Sequence, residues 1–107
     1  MKMRLLKASD VYDIVAQIPE GKVTTYGDIA RALGHPRASR AIGRILNNNP
    51  NPILTPCHRV IKSDGKIGGY VFGKMRKKEL LTKEGLCFNG NSAAEFANYR
   101  IPFQKLH

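Results

Sequence analysis

A run of four asparagines and two prolines at residues 47–52 constrains the possible fold of this chain more than any other segment. Proline cannot continue a helix, because it lacks a backbone N–H, and it holds the residue before it in extended geometry. Pro50 and Pro52 therefore favour extended backbone at Asn49 and Asn51. We predict a stiff connector here, at which the helical pattern of the preceding residues ends.

Two helices are predicted at the start of the chain. Residues 10–18 carry apolar side chains at helical spacing, and Ser9 stands in the N-cap position before them. A second helix is predicted after Thr25, where Asp28 three residues later gives a pattern similar to a capping box. Gly34 is the predicted C-terminal stop of this helix.

A third helix is predicted over residues 37–46, with Pro36 at its start. The second and third helices are short and joined by a tight turn, so residues 26–46 resemble a helix-turn-helix. The polar face of the third helix carries basic residues at spacings of three and four: Arg37, Arg40 and Arg44. This face is either a solvated helix surface or a DNA contact, and the charge of the whole chain favours DNA.

That charge points to a polyanionic partner. The chain has 18 Lys and Arg residues against 8 Asp and Glu residues, which gives a formal net charge of +10 and a sequence pI near 10.0. Nucleic acid is the first partner that such a surface favours. No apolar run approaches membrane-spanning length, two cysteines are too few for a disulfide framework, and three scattered histidines offer no metal-ligand spacing. We therefore expect a monomeric, metal-free protein of the cytoplasm, or of the nucleus in a eukaryote.

Cys57 and His58 stand side by side in a turn expected at residues 55–60, directly after the connector. A cysteine is nucleophilic only as the thiolate, and a nearby base can provide that form. Consecutive side chains rarely face each other, so cooperation would require a bridging water and a third group that orients the imidazole. The alternative is an inert buried cysteine followed by a surface histidine.

Beyond this turn the predicted elements are shorter. Residues 60–67 are expected to form a small hairpin or a tight turn around Gly65. A basic helix is predicted over residues 74–84, with Gly85 as its stop. Its predicted inward residues are Met75, Leu80 and Leu81.

The C-terminal residues predict one more element and a packed tail. Ser92 and Glu95 have the spacing that caps a short final helix. Cys87 is expected to be structural, because no residue near it in sequence would activate a thiol. Apolar residues of the tail are expected to pack back onto the core: Phe96, Tyr99, Ile101 and Phe103. Residues 1–107 thus predict one compact, mainly α (small α/β) domain with a helix-turn-helix and a short hairpin or turn near the cysteine.

Six short motifs follow one another along the chain: Thr25-Tyr26-Gly27, Arg40-Ala41-Ile42-Gly43, Asn49-Pro50, Pro56-Cys57-His58-Arg59-Val60, Gly69-Tyr70 and Glu84-Gly85. In this order and at this spacing they closely resemble the O6-alkylguanine-DNA alkyltransferases. The resemblance covers roughly residues 11–85 and implies the C-terminal domain of that family, which binds DNA and carries the active site. It also implies a methylated-DNA–protein-cysteine methyltransferase that acts once per molecule, with no cofactor and no metal.

The resemblance assigns the chemistry to four residues. Cys57 would take the alkyl group from O6 of a guanine in double-stranded DNA and keep it as a stable thioether. His58 would accept the thiol proton through a water, and Glu84 would hydrogen-bond the imidazole. Tyr26 would donate a hydrogen bond or a proton to the leaving guanine.

The resemblance further implies that the damaged nucleotide is flipped out of the duplex from the minor-groove side, with Arg40 inserted in its place. It assigns the other DNA contacts to Arg37, Arg44, Ala38, Gly43 and Thr25. It assigns the substrate pocket to Tyr70, Val60, Val71 and Asn49. Asn49 would also be the hinge between the recognition helix and the active-site turn.

The chain departs from the family pattern after Tyr70, where Val71-Phe72-Gly73 replaces small, glycine-rich residues. We expect Phe72 to narrow or reshape the pocket and so to limit bulky alkyl groups. One alternative function is a non-catalytic alkyltransferase-like protein that flags alkylated bases for other repair factors, but Cys57 is intact here. A small Cys-His-Glu hydrolase or a plain DNA-binding regulator would leave either the DNA-binding elements or the cysteine motif unexplained.

Overall fold

The computed structural model describes residues 6–52 and 54–106 of the chain. Within them lie four α-helices: α1 (Ala8–Val15), α2 (Tyr26–Ala32), α3 (Ser39–Asn47) and α4 (Lys74–Lys83). Four two-residue strands are β1 (Thr24–Thr25), β2 (Val60–Ile61), β3 (Phe88–Asn89) and β4 (Ser92–Ala93). Short 3-10 turns cover Cys57–Arg59, Phe96–Asn98 and Phe103–Lys105. The predicted class, mainly α with a little β structure, is confirmed.

Helix α1 begins earlier than predicted. It starts at Ala8, so Ser9 lies inside the helix and the prediction that Ser9 caps it is wrong. The first turn closes instead on the Lys7 carbonyl, which accepts the N–H groups of Asp10 and Val11. Burial of the apolar stripe determines where this helix begins, because a capping preference contributes less than the packing of a whole helix face.

Helix α2 has the predicted N-cap residue but not the predicted capping box. The Thr25 hydroxyl accepts the backbone N–H of Asp28 at 3.0 Å. The Asp28 carboxylate does not complete the box, because it binds the Arg100 guanidinium at 2.7 and 2.9 Å. The chain leaves the helix at Gly34, whose φ of +78° is the left-handed conformation that glycine tolerates, so the predicted stop is confirmed.

Helix α3 begins at Ser39, two residues later than predicted. The N–H of Ala38 donates to the His35 carbonyl at 2.9 Å, so Pro36 occupies the second position of a tight turn rather than the first helical position. Arg37 therefore precedes the helix, and the predicted three-arginine face is reduced to Arg40 and Arg44. Ile42 and Leu46 are the buried residues of α3.

The sheet pairing brings the two halves of the chain together. Strand β1 pairs in parallel with β2, with Thr24 opposite Val60 and Thr25 opposite Ile61. Residues 62–66 do form a tight turn, in which the Lys62 N–H donates to the Lys66 carbonyl and the Gly65 N–H donates to the Lys62 carbonyl. Strand β2, however, pairs with β1. Because β1 leads into α2 and β2 follows the cysteine turn, the start of α2 and that turn lie side by side.

Two apolar clusters form the core. The larger one joins α1, α2 and α3 to Cys57 and Val60, and the smaller one contains Val23, Ile61, Leu81 and Leu86. Helix α4 contributes Leu81 as predicted, whereas Met75 is 81% exposed, so its predicted inward position is wrong. The buried face of α4 carries Lys77 instead.

The C-terminal residues form a hairpin where a helix was predicted. Strands β3 and β4 pair antiparallel around Gly90, and Ser92 lies opposite Asn89 in the ladder instead of capping a helix. After the hairpin, the Tyr99 carbonyl accepts the Val23 N–H, and the Ile101 N–H donates to the Val23 carbonyl. Phe96 and Tyr99 pack on the smaller cluster and Ile101 on the larger one, as predicted, and the side chain of Phe103 lies outside what the structure describes. Cys87 is an exposed free thiol.

Two further observations concern the described residues as a group. None of their helices combines the length and the apolar character that crossing a bilayer requires. Within residues 6–52 and 54–106, no three His, Cys, Asp or Glu side chains gather closely enough to hold a metal ion.

Candidate active site

A cleft of about 530 Å3 opens beside Cys57. Helix α3 forms one side of it through Arg40, Gly43 and Arg44, and the glycines at residues 68–69 lie on its lining as well. Tyr26, the first residue of α2, lines the same cleft. The cleft therefore joins the thiol, a phenol and two guanidinium groups in one open space.

The connector holds Cys57 at this place. The Asn49 side chain is buried, and its amide donates to the Thr55 carbonyl at 2.9 Å while its oxygen accepts the N–H of Asn51 at 3.0 Å. The N–H of Cys57 donates to the same Thr55 carbonyl at 2.7 Å. Asn49 thus ties the end of α3 to the cysteine turn, which is the position that a hinge residue would occupy.

His58 and Glu84 form a buried hydrogen-bonded pair. The His58 Nε2 and Glu84 Oε2 atoms are 2.7 Å apart. Arg59 binds the same carboxylate twice, at 2.9 and 3.0 Å, and donates to the Ile18 carbonyl at 2.8 Å. Glu84, at the end of α4, therefore binds two residues of the cysteine turn.

Burial and this pairing set the protonation of the imidazole. Burial lowers the pKa of His58 and outweighs the opposing effect of the hydrogen bond that His58 donates to Glu84. Burial alone would raise the pKa of Glu84, but the hydrogen bonds from Arg59 and His58 hold it below the ordinary value. A neutral His58 beside an ionised carboxylate carries its proton on Nε2. Its Nδ1 is then an unprotonated base, and it is buried with no hydrogen-bond partner among the described residues.

Lys77 is a functional candidate that the sequence analysis missed. Its side chain is fully buried, and its ammonium donates to the carbonyls of Val60 at 2.6 Å and Gly69 at 3.0 Å and to the Tyr26 hydroxyl at 3.3 Å. Burial lowers the pKa of Lys77 to about 7. Its position four residues before the buried Leu81 places both on one helix face, and that spacing was the available signal.

Tyr26 is the second polar group of this cluster. Its hydroxyl accepts from Lys77 and lies 3.4 Å from the Gly69 carbonyl. Burial, and secondly the charge of Cys57, raises the pKa of Tyr26 to about 12. Tyr26 therefore stays protonated and is a hydrogen-bond donor at neutral pH.

Comparison with known proteins identifies the family. The family model described as 6-O-methylguanine DNA methyltransferase, DNA binding domain, matches residues 7–86. The chain belongs to this family. A methylated-DNA–protein-cysteine methyltransferase of Methanosarcina acetivorans is 48% identical over 77 residues, which cover 72% of this chain and 49% of the relative. A DNA base-flipping protein of Escherichia coli is 40% identical over 90 residues, which cover 84% of this chain and 70% of the relative.

Two solved structures of DNA complexes are similar to this chain. S. pombe Atl1 with damaged DNA containing O6-carboxymethylguanine has a TM-score of 0.75 and 33% identity, covering 88% of this chain and 93% of that one. Mycobacterium tuberculosis OGT with DNA has a TM-score of 0.69 and 43% identity, covering 72% of this chain and 48% of that one. The domain thus spans about half the length of the methyltransferase relative from M. acetivorans and nearly all of Atl1.

The residues predicted to contact DNA lie at different places around the helix-turn-helix of this domain. Arg40, Arg44 and Gly43 line the cleft. Arg37 is exposed in the turn before α3 and does not line the cleft, and Ala38 packs against the larger core cluster. Thr25 is fully buried as the cap of α2, and its DNA contact stays a prediction.

The predicted pocket residues are distributed around the cleft rather than along its wall. Val60 is buried and its carbonyl is bound by Lys77, and Asn49 holds the connector. Tyr70 is half-buried, with its ring centroid 6.3 Å from that of His58. Val71 is 39% exposed beside it. Phe72 is 62% exposed and is not part of the cleft lining, so the expectation that Phe72 narrows the cleft is not met.

Proposed function

We propose that this domain binds double-stranded DNA and transfers the alkyl group of an O6-alkylguanine to Cys57 in a single turnover. The observation that carries the proposal is the oriented, unprotonated Nδ1 of His58, one residue from a thiol that lines an open cleft. The methyltransferase relative from M. acetivorans supports the same chemistry.

The reaction forms one bond and breaks one. The Cys57 thiol loses its proton to Nδ1 of His58, directly or through one water, while Glu84 stabilises the charge that develops on the imidazole. The sulfur attacks the carbon bound to O6, and the C–O6 bond breaks with its electron pair left on the guanine. Tyr26 donates a hydrogen bond or its proton to the departing guanine, and Lys77, which already donates to the Tyr26 hydroxyl, can replace that proton.

Transfer on duplex DNA requires the base to leave the helical stack. O6 inside a stacked duplex is out of reach of a sulfur attack, and extrusion costs a few kcal/mol. Arg40 lies on the cleft side of α3, where its guanidinium can fill the gap left by the extruded nucleotide. Arg44, one turn further along α3, lines the same cleft and would contact the phosphate backbone.

A second function has specific support. The domain covers 70% of the E. coli DNA base-flipping protein and 93% of S. pombe Atl1, so proteins of similar size are described by base flipping or lesion binding. The alternative is a protein that extrudes and holds the alkylated base without taking the alkyl group. It would use the same cleft but would not require the proton path from Cys57 through His58 to Glu84.

The first experiment measures the mass of the intact protein after incubation with duplex DNA that carries O6-methylguanine. We expect one added methyl group on the wild type and on Cys87→Ala, because Cys87 is exposed and remote in sequence, and none on Cys57→Ala. Tight binding of the lesion DNA without any added mass on the wild type would favour the base-flipping alternative and contradict transfer.

A second experiment tests extrusion. Arg40→Ala should slow transfer from duplex DNA at least tenfold while leaving transfer from the free modified base unchanged. Arg37→Ala is the matched control, because Arg37 is exposed but lies outside the cleft. Equal slowing by both substitutions would mean that only charge, and not the insertion of Arg40, matters.

A further inference from the structure

Exposed apolar side chains are concentrated on the segment that leads into α4. Of the side chains that the structure describes, four large apolar ones are exposed, and three of these lie within residues 71–75: Val71, Phe72 and Met75. Phe72 is 62% exposed and Met75 is 81% exposed. Single exposed apolar side chains are common in proteins, but a group of them on one short segment is typical of an interaction surface.

Hydrogen bonds and a ring contact hold this segment in place. The N–H of Gly73 donates to the Tyr70 carbonyl at 3.0 Å, and the Gly73 carbonyl accepts the N–H of Lys77 at 3.1 Å. The rings of Tyr70 and Phe72 are 5.6 Å apart at 80°, which is the edge-to-face geometry that aromatic pairs prefer. Phe72 and Met75 are three residues apart in sequence, so their Cα atoms are separated by at most about 11 Å. A partner would therefore bind to a preformed surface, which lowers the entropic cost of binding.

Cationic side chains lie beside the apolar ones. Lys74 and Lys78 are four residues apart on α4 and therefore share one face of the helix, and Met75 lies next to them, three residues before Lys78. The first turn of α4 has no acidic residue, and the positive end of the helix dipole adds to the charge there. Glu79 is the one acidic residue of α4, and it pairs with Arg76 at 3.1 Å. The surface thus combines apolar side chains with an excess of positive charge.

The same observations disfavour DNA and a second copy of the chain as the occupant. None of residues 71–78 lines the cleft that contains Arg40 and Arg44, so this surface lies outside the proposed DNA site. Phosphate groups would be attracted to the lysines, but they would leave the apolar surface of Phe72 and Met75 in water. A second copy carries the same formal net charge of +10 and would be repelled.

We propose that this surface, the α4 patch, binds an acidic segment of a partner protein that carries apolar side chains between its carboxylates. The α4 patch consists of Val71, Phe72, Lys74, Met75 and Lys78. The apolar side chains of the partner pack on Phe72 and Met75, and its carboxylates pair with the two lysines, which gives the apolar centre and polar rim of a protein interface. Because the α4 patch lies outside the cleft, the chain can hold this partner and DNA at the same time. Alkyl transfer is not required for this binding.

The test titrates the full chain with a short synthetic peptide in which Leu and Phe alternate with Asp and Glu. Amide NMR spectra of the chain show where the peptide binds, and we expect shifts at residues 71–78 and none along the cleft. Binding should weaken as salt is added, because exposed charge pairs are screened. Met75→Gln keeps the length of the side chain but removes its apolar end, and it should weaken binding about tenfold.

Two double variants separate the α4 patch from the general charge of the chain. Lys74→Gln with Lys78→Gln removes the same charge as Lys22→Gln with Lys66→Gln, and Lys22 and Lys66 are exposed outside the α4 patch. The first pair of substitutions should weaken peptide binding about tenfold, and the second pair less than twofold. Both double variants should bind undamaged duplex DNA with the same affinity.

Other results would overturn the docking surface. A peptide that does not bind, shifts confined to the cleft, or equal losses in the two double variants would mean that the α4 patch does not recognise an acidic, apolar segment. A loss of DNA affinity confined to the Lys74 and Lys78 variant would assign the α4 patch to the DNA backbone. A dimer of the free chain that Met75→Gln dissociates would assign it to a second copy. Binding to vesicles of phosphatidylcholine and phosphatidylserine that depends on Met75, without peptide binding, would assign it to a lipid surface.

Discussion

Replacement of Glu84 by glutamine tests the buried carboxylate that forms an ion pair with Arg59 and orients His58 by a hydrogen bond. The carboxylate is 8% exposed and accepts one hydrogen bond from His58 and two from Arg59. Glutamine keeps the shape but turns one acceptor oxygen into a donor amide, which then faces the N–H of His58 or Arg59. Removing one member of a buried ion pair costs about 3 to 5 kcal/mol.

We expect the lower end of that range, a loss of about 3 kcal/mol in the free energy of unfolding at neutral pH. Arg59 keeps its hydrogen bond to the Ile18 carbonyl, and its side chain is 17% exposed to water, so its charge is not left without partners. Domains of this size are stable by about 5 to 15 kcal/mol, so the variant should remain folded. Urea unfolding followed by circular dichroism measures the difference.

The same measurement in acid separates charge from packing. The pKa of Glu84 is lowered in the folded protein. The ionised carboxylate therefore stabilises the fold at a pH above the pKa that Glu84 has in the unfolded chain. This contribution is lost as the pH falls through the pKa of Glu84 in the folded protein. The difference between the wild type and Glu84→Gln should therefore disappear in strong acid. A difference that stayed constant down to that pH would refute the ion-pair argument.

Glu79 provides the matched control on the same helix. It pairs with Arg76 at 3.1 Å, but its side chain is 59% exposed. Exposed pairs contribute about 0 to 1 kcal/mol. Glu79→Gln should therefore leave the unfolding midpoint almost unchanged, and a loss as large as that of Glu84→Gln would point to helix propensity rather than to the buried pair.

Three further predictions follow from the site. Gly68→Ala should slow transfer and destabilise more than Gly34→Ala, because both glycines have positive φ, but an added Cβ meets the Tyr26 hydroxyl at 3.0 Å only at Gly68. Equal effects in unfolding and transfer assays would exclude the contact as the cause. Since the pKa of His58 is lowered from 6.5, the transfer rate should stay constant as the pH falls to that value and decline only below it; a decline beginning at higher pH would count against His58 as the base. Finally, the fold holds Lys77 at a pKa of about 7, against 10.5 when unfolded, so between these values the folded state binds fewer protons and stability rises with pH. Relative to Lys77→Met, the wild type should gain up to about 1.4 kcal/mol per pH unit between pH 7 and 9, and a flat difference would show that Lys77 keeps its proton.

Features that depend on one residue and its immediate neighbours were predictable from the sequence. Thr25 caps α2 because its hydroxyl needs only the N–H three residues later. Gly34 and Gly85 end their helices because each adopts a left-handed backbone that other residues rarely adopt. The stiff connector follows from its prolines in the same way, and its buried Asn49 agrees with a fixed path.

Errors occurred where a local preference competed with packing or with a distant partner. Asp28 was expected to complete a cap, but Arg100, 72 residues away, binds its carboxylate. Ser92 was expected to start a helix, but a strand partner at Asn89 takes it into a hairpin. Met75 was expected to face inward, but Lys77 lies on the buried face of α4, because its ammonium finds hydrogen-bond acceptors inside the protein.

The sequence by itself determined the helical class, the cationic surface, the adjacency of Cys57 and His58, and, through motif order, the family. Adjacency does not create a proton path, since consecutive side chains point in different directions. Only the tertiary structure decided which nitrogen of His58 is free, because that depends on Glu84, 26 residues away, and on the burial of both groups. The parallel pairing of β1 with β2 likewise decided that Tyr26 and Lys77 meet beside the cysteine, since hydrogen bonds between distant segments are satisfied only when the whole chain has folded.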